Sequence, residues 1–473
     1  MTAVAWRASR VDWRWRTAAP GTTAALSLVL AANAACLLGL ARGVTAVYVL
    51  GAVAIAASLA RHRPVATIEF SLWLWILGPQ VRRVVDVSTG YHDPSYILVA
   101  APLASLVLLP HIRALRWQGL RRPVRPMLMA VVAVSVGYAV GAVQIGLRPA
   151  TGALLLWLVP PLLGLQAVAV GDDYAELEAA VERVFVWGAL IVGIYGIVQF
   201  YAVPSWDAFW MNNAPIASIG SPHPFEVRVF STLNSPGPLA TFLAAAVLYL
   251  TSARHPLRVP AQVAGLVCLA LSMVRAAWLA TLIGLVFVMA AGRSRARATA
   301  LTALALVAVA ILQVSGPVEQ AIVDRIDESR AGNQDDSFVA RLALHEEMIP
   351  ALADDVVGRG LGASGVAARL GDGSTGIVDL DSGLLDFAFT LGLPAALFAL
   401  AAVTMGGAEL ARSGLRRGVL PVGVVAAGLS ILLQMLGGNT LTGVGGVVFF
   451  VVWGVGIRAL VSGGPSPAGS GVR

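Results

Sequence analysis

Long apolar runs separated by short polar stretches recur along the whole chain. Most runs are close to the ~20 residues that an α-helix needs to cross a bilayer. The pattern predicts an all-α integral membrane protein with about fourteen transmembrane helices, in a range of about 12 to 14. The predicted spans cover residues 22–41, 44–60, 64–80, 95–110, 127–146, 150–170, 183–202, 236–251, 259–274, 276–292, 299–315, 382–403, 419–437 and 441–460.

One apolar stretch, Val259–Ala291, contains a charged residue near its middle, Arg275. The stretch is too long for a single crossing of ~20 residues, so it predicts two short spans with Arg275 at their junction. Because a charge among membrane spans is costly, such a residue usually has a function. The junction is therefore the first candidate for a functional site.

Composition excludes a soluble core: 58% of the residues are hydrophobic, only 12% are charged, and the mean hydropathy is +0.79. The two cysteines, Cys36 and Cys268, fall within apolar runs and predict buried core residues. Two cysteines are too few for a disulfide framework or a Cys-rich metal site.

The basic residues, all of them Arg, gather in alternate loops, and cytoplasmic loops carry such an excess. This distribution predicts a multi-pass membrane protein with both termini cytoplasmic. The complete absence of Lys indicates a GC-rich bacterial genome, so the expected location is the bacterial cytoplasmic (inner) membrane. The net charge of +7 then reflects topology, and no nucleic-acid partner is expected. The arginines expected inside are Arg7, Arg10, Arg14, Arg16, Arg61, Arg63, Arg113, Arg116, Arg121, Arg122, Arg125, Arg254, Arg258, Arg293, Arg295, Arg297, Arg412, Arg416 and Arg417.

Under this topology the outer face carries two long polar segments, residues 203–235 and 316–381. The other outer loops are short, so we expect any chemistry on the outer face. The chain as a whole, 1–473, is predicted to be a single polytopic membrane domain. Residues 463–473, rich in Gly, Pro and Ser, predict a disordered cytoplasmic tail.

The first outer segment predicts a one-turn helix capped by Ser205. Its aromatic residues, Trp206, Phe209 and Trp210, would lie in the membrane interface or stack on a sugar. Downstream, His223-Pro-Phe-Glu-Val-Arg228-Val-Phe-Ser-Thr-Leu-Asn234 leads into a span.

The second outer segment predicts a short amphipathic helix with an acidic, Ser-capped start, on which Arg341 and His345 share one face. A tight turn follows at Gly358-Arg-Gly-Leu-Gly362, and Asp379-Leu-Asp381-Ser-Gly-Leu-Leu-Asp386 lies at the mouth of the next span. The acidic pairs 335–336 and 354–355 are interpreted as caps and solvated loop charges, because no nearby residues have metal-ligand spacing.

These motifs resemble the O-antigen ligase and O-antigen polymerase family of membrane glycosyltransferases. Arg228-Val-Phe-Ser-Thr-Leu-Asn234-Ser-Pro is similar to the family's Arg-x-x-Gly-Thr-x-x-x-Pro-Asn segment, and Leu271-Ser-Met-Val-Arg275 to its Ser-Arg junction between spans. The third match is the outer loop with Arg341, Pro350 and the three glycines, closing on Asp381-Ser-Gly-Leu-Leu and Gly392-Leu-Pro394. The resemblance covers about residues 185–400 and implies a GT-C-like fold.

The resemblance implies glycan transfer from a polyprenyl-diphosphate-linked oligosaccharide to an acceptor hydroxyl, without metal, nucleotide sugar or other cofactor. Leaving-group charge would be held by the planar guanidinium groups of Arg228 and Arg275. Arg341 is a candidate for a second phosphate or a glycan carboxylate, and equally for an ordinary helix-surface residue. Membrane lipid is an expected partner, and the sequence leaves open a chain-length regulator.

A general base must take the proton of the attacking hydroxyl, and Asp381 is the leading candidate, followed by His345 and His223. Ligases of the family tend to carry a His near the end of the long loop, where this chain has Asp381. The departure favours a polymerase-type member over a ligase.

Two other classes are weighed against this interpretation. A polytopic transporter or lipid-linked glycan flippase would fit the many spans, but the chain shows no internal repeat, which such proteins often have. A metal-dependent polyprenyl-phosphate-sugar mannosyltransferase usually needs a carboxylate in its first outer loop. Here that loop is Ala41-Arg42-Gly43, which has no carboxylate, and this argues against such an enzyme.

Overall fold

The computed structural model describes residues 19–113, 115, 120–214, 216–291, 299, 301, 356–371, 380 and 382–462. These residues fold into α-helices joined by turns and short loops. In chain order the helices are α1 (Pro20–Leu37), α2 (Val44–His62), α3 (Pro64–Thr89), α4 (Ala100–Leu106), α5 (Leu109–Arg113), α6 (Arg121–Gln144), α7 (Leu147–Val170), α8 (Tyr174–Ala202), α9 (Ser205–Asn213), α10 (Pro236–Leu250), α11 (Arg258–Leu271), α12 (Arg275–Ala290), α13 (Gly383–Leu391), α14 (Leu393–Arg417), α15 (Val422–Gln434) and α16 (Gly443–Val461).

Within the described part, eight helical segments are long and apolar enough to cross a membrane. They are 20–37, 44–62, 96–113, 122–144, 147–170, 174–202, 393–417 and 443–461. Helices α10, α11 and α12 and the segment 422–437 are shorter but also apolar. The chain is thus an all-α, multi-pass membrane protein.

Helix α10 forms the centre of the bundle and is packed by α8, α11, α12, α15 and α16. Its residues from Leu239 to Leu250 are buried, as expected for a helix that is apolar on all sides. Pro236 occupies its first turn, where a missing N–H costs nothing. The predicted cysteines of the core are both buried: Cys36 in α1 and Cys268 in α11.

A second group of helices surrounds α3, which contacts α1, α2, α4, α8 and α9. The predicted span 64–80 was too short, because α3 continues to Thr89. The additional turns contain buried charged residues, Arg82, Arg83 and Asp86. The charges lower the hydropathy of these turns, so hydropathy alone ended the predicted span early. The helix continues because the charged side chains are buried within the protein.

Two further predicted spans are interrupted. The span 382–403 is broken at Gly392, whose φ of 79° separates α13 from α14. The span 95–110 is divided into a 3-10 turn, 96–99, and the short helices α4 and α5. The span 299–315 lies outside the described residues except for positions 299 and 301.

The ends of the helices fall into two groups. At the basic end, Glu182 of α8 accepts from the backbone N–H groups of Arg254 and His255, at 3.1 and 2.8 Å, and Arg458 of α16 pairs with Asp172 at 2.9 Å. The opposite end, called here the loop end, carries the segments 203–235, 272–274, 356–371 and 435–442. The contacts described below bring these four segments together.

Candidate active site

The segment 203–235 begins with a longer helix than predicted and then forms a small hairpin. Helix α9 spans Ser205–Asn213, and its N-cap is Pro204, so the predicted Ser205 cap is wrong. Trp210 is only 1% exposed and packs on Phe230, with ring centroids 5.4 Å apart, which removes it from the predicted interfacial aromatic group. It is a core residue of this segment.

The hairpin places His223 at its tip and Arg228 at its end. Gly220 and Val227 form an antiparallel bridge, and the Arg228 N–H donates to the Ile219 carbonyl at 2.9 Å. His223 is exposed, whereas Arg228 is partly buried.

Arg228 and Arg275 are brought together by the turn between α11 and α12. The Val229 N–H donates to the Leu271 carbonyl at 3.2 Å, and Nη2 of Arg228 donates to the Met273 carbonyl at 3.5 Å. Met273 has a φ of 54°, a left-handed conformation that turns the chain so that Arg275 becomes the first residue of α12. The predicted junction is confirmed, and both arginines are partly exposed.

The glycine-rich segment 356–371 packs through its backbone against α6 and α13. Gly358, Gly360 and Gly362 have φ values of 79°, 82° and 92°, which glycine adopts without strain. The Leu361 N–H donates to the Gly137 carbonyl at 2.9 Å, and a Cβ added at Gly360 would lie 2.1 Å from the Gly141 nitrogen. The predicted tight turn is confirmed, and its glycines are required by this close approach.

Asp386 joins this segment to two other parts of the loop end. Its Oδ1 accepts from the Ser364 hydroxyl at 2.5 Å and from the Thr390 hydroxyl at 3.3 Å. Its Oδ2 accepts from Nδ2 of Asn439 at 2.6 Å. All three of these partners donate to the carboxylate. The carboxylate that the sequence placed at the mouth of a span thus holds three segments in place.

The connection 435–442 lies between Asp386 and the arginine junction. A Cβ added at Gly437 would lie 2.9 Å from the Cβ of Ala276, the residue after Arg275. A Cβ added at Gly383 would lie 2.5 Å from the Gly438 carbonyl oxygen. The start of α12 and the start of α13 are therefore both packed against this one connection. Ser382, which follows Asp381 in the chain, caps α13 by accepting from the Leu385 N–H at 3.5 Å.

A buried ion pair beneath the hairpin was missed by the sequence analysis. Arg83 of α3 and Asp207 of α9 are both fully buried, and Nε of Arg83 donates to Oδ1 of Asp207 at 2.7 Å. The guanidinium also donates to the backbone carbonyls of Ser231 and Leu233. Adjacent charges at the end of an apolar run, followed by an isolated Asp in an aromatic helix, were the signal that could have indicated a buried pair.

A second polar network connects α3 with the segment 356–371. Asp86 accepts from Nε of Arg82 at 3.2 Å and lies 3.4 Å from Nδ1 of His92. Asp93 accepts from Nη1 of Arg369 at 3.3 Å. Burial raises the pKa of the nearby Tyr91 hydroxyl and the Asp93 carboxylate raises it further, so this ring stays neutral beneath the Arg82 guanidinium, 5.4 Å away. His92 thus adds a carboxylate-linked histidine to the loop end, which the sequence analysis had not singled out.

Three of the predicted site residues, Arg341, His345 and Asp381, lie outside the described residues. The same holds for the acidic pairs 335–336 and 354–355 and for the tail 463–473. Arg228 and Arg275 are brought together; His223 belongs to the same hairpin as Arg228 but is exposed at its tip.

The fold and this surface define a helical, multi-pass membrane protein with a polar site at one end of its bundle. Residues 260–400 match a family model described as O-antigen ligase. The match confirms the resemblance over that part of the chain, which includes Arg275, the glycine-rich segment and Asp386. No curated protein matches the chain.

Proposed function

We propose that this protein is a glycosyltransferase that moves a glycan from a polyprenyl-diphosphate-linked oligosaccharide to an acceptor sugar hydroxyl on the outer membrane face. The observation that carries the proposal is the adjacency of Arg228 and Arg275, held by the contacts of Arg228 and Val229 with the α11–α12 turn. Two partly exposed guanidinium groups on neighbouring backbone segments suit a diphosphate. The O-antigen ligase match over 260–400 supports the same class of reaction.

The proposed chemistry needs a leaving group and a base. The acceptor oxygen attacks the anomeric carbon, and the bond from that carbon to the diphosphate oxygen breaks with its electron pair. Arg228 and Arg275 stabilise the charge that grows on the diphosphate, so no metal ion is needed for that role. Asp381 takes the acceptor proton; His345 and His223 are the alternatives, and Arg341 binds a second phosphate or a glycan carboxylate.

Sidedness follows from the arginines at the two ends of the bundle. At the basic end, Arg254 lies in the connection between α10 and α11, Arg258 begins α11, and Arg416 and Arg417 end α14. Because short cytoplasmic loops are enriched in such residues, we assign the basic end to the cytoplasm and the loop end to the outer face. Cysteines introduced at exposed positions of the hairpin 220–227 should then react with impermeant thiol reagents on intact cells.

We assign a polymerase-type reaction because Asp381 stands where ligases tend to carry a His. A ligase-type transfer to a different lipid or glycan is the second candidate, and the description of the matching family model favours it. In a polymerase, donor and acceptor are both lipid-linked repeat units, so the products form a ladder. In a ligase, one glycan is transferred once to a different acceptor.

The test uses the purified protein in detergent with a polyprenyl diphosphate oligosaccharide and EDTA, followed by mass spectrometry. Wild type is compared with Arg275→Ala and with Arg42→Ala, an exposed arginine of the α1–α2 connection. A ladder of glycan lengths that is lost only in Arg275→Ala supports the polymerase, and a single transfer supports the ligase. No covalent product from folded protein, with transport of the lipid-linked glycan in proteoliposomes, would instead identify a transporter or flippase.

A further inference from the structure

The buried group beneath the hairpin consists of Arg83, Asp207 and Gln199, and is called here the clamp. Arg83 comes from α3, Gln199 from α8 and Asp207 from α9. Each is fully buried. Water and substrate therefore do not reach these side chains, and whatever they do is done through the segments they hold.

The hydrogen bonds inside the clamp leave its ionised groups well partnered. Asp207 accepts from Nε of Arg83 at 2.7 Å, from Nε2 of Gln199 at 2.7 Å and from the Tyr195 hydroxyl at 2.8 Å. The Arg83 guanidinium lies over the Phe230 ring, 5.0 Å from its centroid. An ion pair surrounded in this way has one geometry, because any shift breaks charge-assisted bonds in an interior of low polarity.

The clamp holds the backbone that follows Arg228. Arg83 donates to the carbonyls of Ser231 and Leu233 and, at 3.1 Å, to Oδ1 of Asn234. Oε1 of Gln199 accepts from the N–H groups of Phe230 and Ser231, at 3.0 and 2.8 Å. Backbone carbonyls and N–H groups are thus fixed from two helices at once.

The held backbone is strained at one point. Ser231 has a φ of 51°, a left-handed conformation that a residue with a Cβ adopts only when its surroundings require it. The Ser231 hydroxyl donates to the Val192 carbonyl of α8 at 2.6 Å, which adds another tie. Two residues before Ser231, the Val229 N–H donates to Leu271 at the arginine junction. The short segment between Arg228 and the clamp has little freedom to move.

We propose that Arg83, Gln199 and Asp207 are positioning residues for the transfer reaction: they set the place of Arg228 relative to Arg275. The inference rests on the proposed function, because it assumes that Arg228 binds the diphosphate. Stability alone does not account for a buried ion pair, since apolar residues of similar size are often as stabilising. A displacement of a substrate-binding group by about 1 Å can lower the catalytic rate by about 100-fold. Rigid attachment of the backbone next to Arg228 therefore matters for catalysis.

The chain offers a matched control for the test. Glu69 of α3, which is buried, and Arg183 of α8, which is partly buried, also form an ion pair, with Nε to Oε1 at 3.0 Å and Nη2 to Oε2 at 3.2 Å. This pair joins two of the same helices but lies in the opposite halves of them, toward the basic end. Removing it should cost stability without moving Arg228.

The experiment compares Arg83→Gln, Gln199→Met and the control Arg183→Gln in purified full-length protein. Transfer from the polyprenyl diphosphate oligosaccharide is measured as kcat and KM, and the melting temperature is recorded. A nitroxide on Glu226→Cys, an exposed position of the hairpin, reports its mobility by EPR; the native Cys36 and Cys268 are buried. We expect Arg83→Gln to lower kcat about 100-fold with a smaller change in KM and a more mobile label.

Gln199→Met keeps both members of the ion pair, removes the hydrogen bond from Gln199 to Asp207 and releases two backbone N–H groups. It therefore tests the proposal if Arg83→Gln does not fold. An immobile label and wild-type kcat in Gln199→Met would overturn the proposal. An equal loss of kcat in Arg183→Gln at equal melting temperature would also overturn it, because the effect would then be general. If Arg228→Ala itself transferred at the wild-type rate, the proposed role of Arg228 would fail, while the label would still show whether the clamp fixes the hairpin.

Discussion

Two arginine environments adjoin each other at the loop end, because Arg83 binds the backbone of Ser231 and Leu233, shortly after Arg228 in the chain. Arg83 is fully buried and donates to a carboxylate, to two backbone carbonyls and to an amide oxygen. Arg228, three residues before Ser231, and Arg275 are partly exposed. The same type of side chain is thus enclosed and structural in one place and partly accessible in the other.

Two carboxylates that are close in the sequence, Asp381 and Asp386, have different proposed roles. Asp386 is buried and accepts from Ser364, Thr390 and Asn439. Asp381, the proposed base, precedes the helix that contains Asp386 by two residues. Residue type and position in the sequence therefore do not assign a role to a carboxylate; for Asp386, burial and three hydrogen-bond donors indicate a structural one.

The largest effect expected is on the surface arginines. Arg228→Ala and Arg275→Ala should each lower transfer about 1000-fold, the upper range for removing one group that stabilises leaving-group charge. Their melting temperatures should stay near wild type. Arg83→Ala should instead destabilise the fold by about 3–5 kcal/mol, because Asp207 would be buried without its cation. Melting temperatures and transfer rates of the same variants check these expectations. If Arg275→Ala unfolded, the distinction between surface arginines that serve transfer and a buried arginine that serves stability would be wrong.

Asp381→Asn sharpens the comparison of the carboxylates. A base must be deprotonated, so wild-type transfer should fall as the pH is lowered through the pKa of Asp381. The variant should transfer about 100-fold more slowly and lose this acidic limb. Asp386→Asn should lower the melting temperature and keep the limb. Transfer rates measured across pH test both variants. An unchanged pH profile in Asp381→Asn would mean that His345 or His223 is the general base.

Replacing arginine by lysine separates charge from shape. Arg275→Lys keeps the positive charge and loses the planar fork, so we expect a loss of about tenfold, smaller than for alanine. The same change at Arg228 should give a similar loss. Steady-state kinetics with the lipid-linked donor test this. Full activity in both lysine variants would show that charge alone suffices on this surface.

The smallest effect is expected at the edge of the buried network. Tyr195→Phe removes the hydroxyl that donates to Asp207 at 2.8 Å but leaves Arg83 and Gln199 in place. The loss should be about 1 kcal/mol in stability and less than about threefold in rate. The denaturation midpoint measures the loss of stability, and the transfer rate of the same preparation measures the loss of activity. A loss of rate as large as in Arg83→Gln would mean that the hydroxyl has a role beyond support.

Sequence reasoning succeeded where a pattern was local. The charge inside the stretch Val259–Ala291 predicted the break between α11 and α12, and the glycines at 358, 360 and 362 predicted a turn. In each case a few neighbouring residues determine the backbone. The same charge singled out Arg275, whereas Arg228 was singled out by the resemblance of its segment to a family motif, and the roles of both stay predictions.

Which residues pair in the clamp could not be predicted in this way, because its members are far apart in the chain. Arg83 and Asp207 are 124 residues apart, and each alone resembles an interfacial charge. Ser231, which they hold, gives no sequence signal of its left-handed conformation. Likewise, Asn439 becomes a partner of Asp386 only through packing of α13 against the 435–442 connection.

The buried pair also has a consequence for the order in which the protein is made. Arg83 leaves the ribosome before its carboxylate, and the 124 residues between them take on the order of 6–25 s at ~5–20 residues per second. During that interval the last turns of α3 carry charges that the membrane core disfavours. We therefore expect α3 to reach its final depth only after α9 has emerged, which disulfide trapping in chains truncated before and after Asp207 would detect.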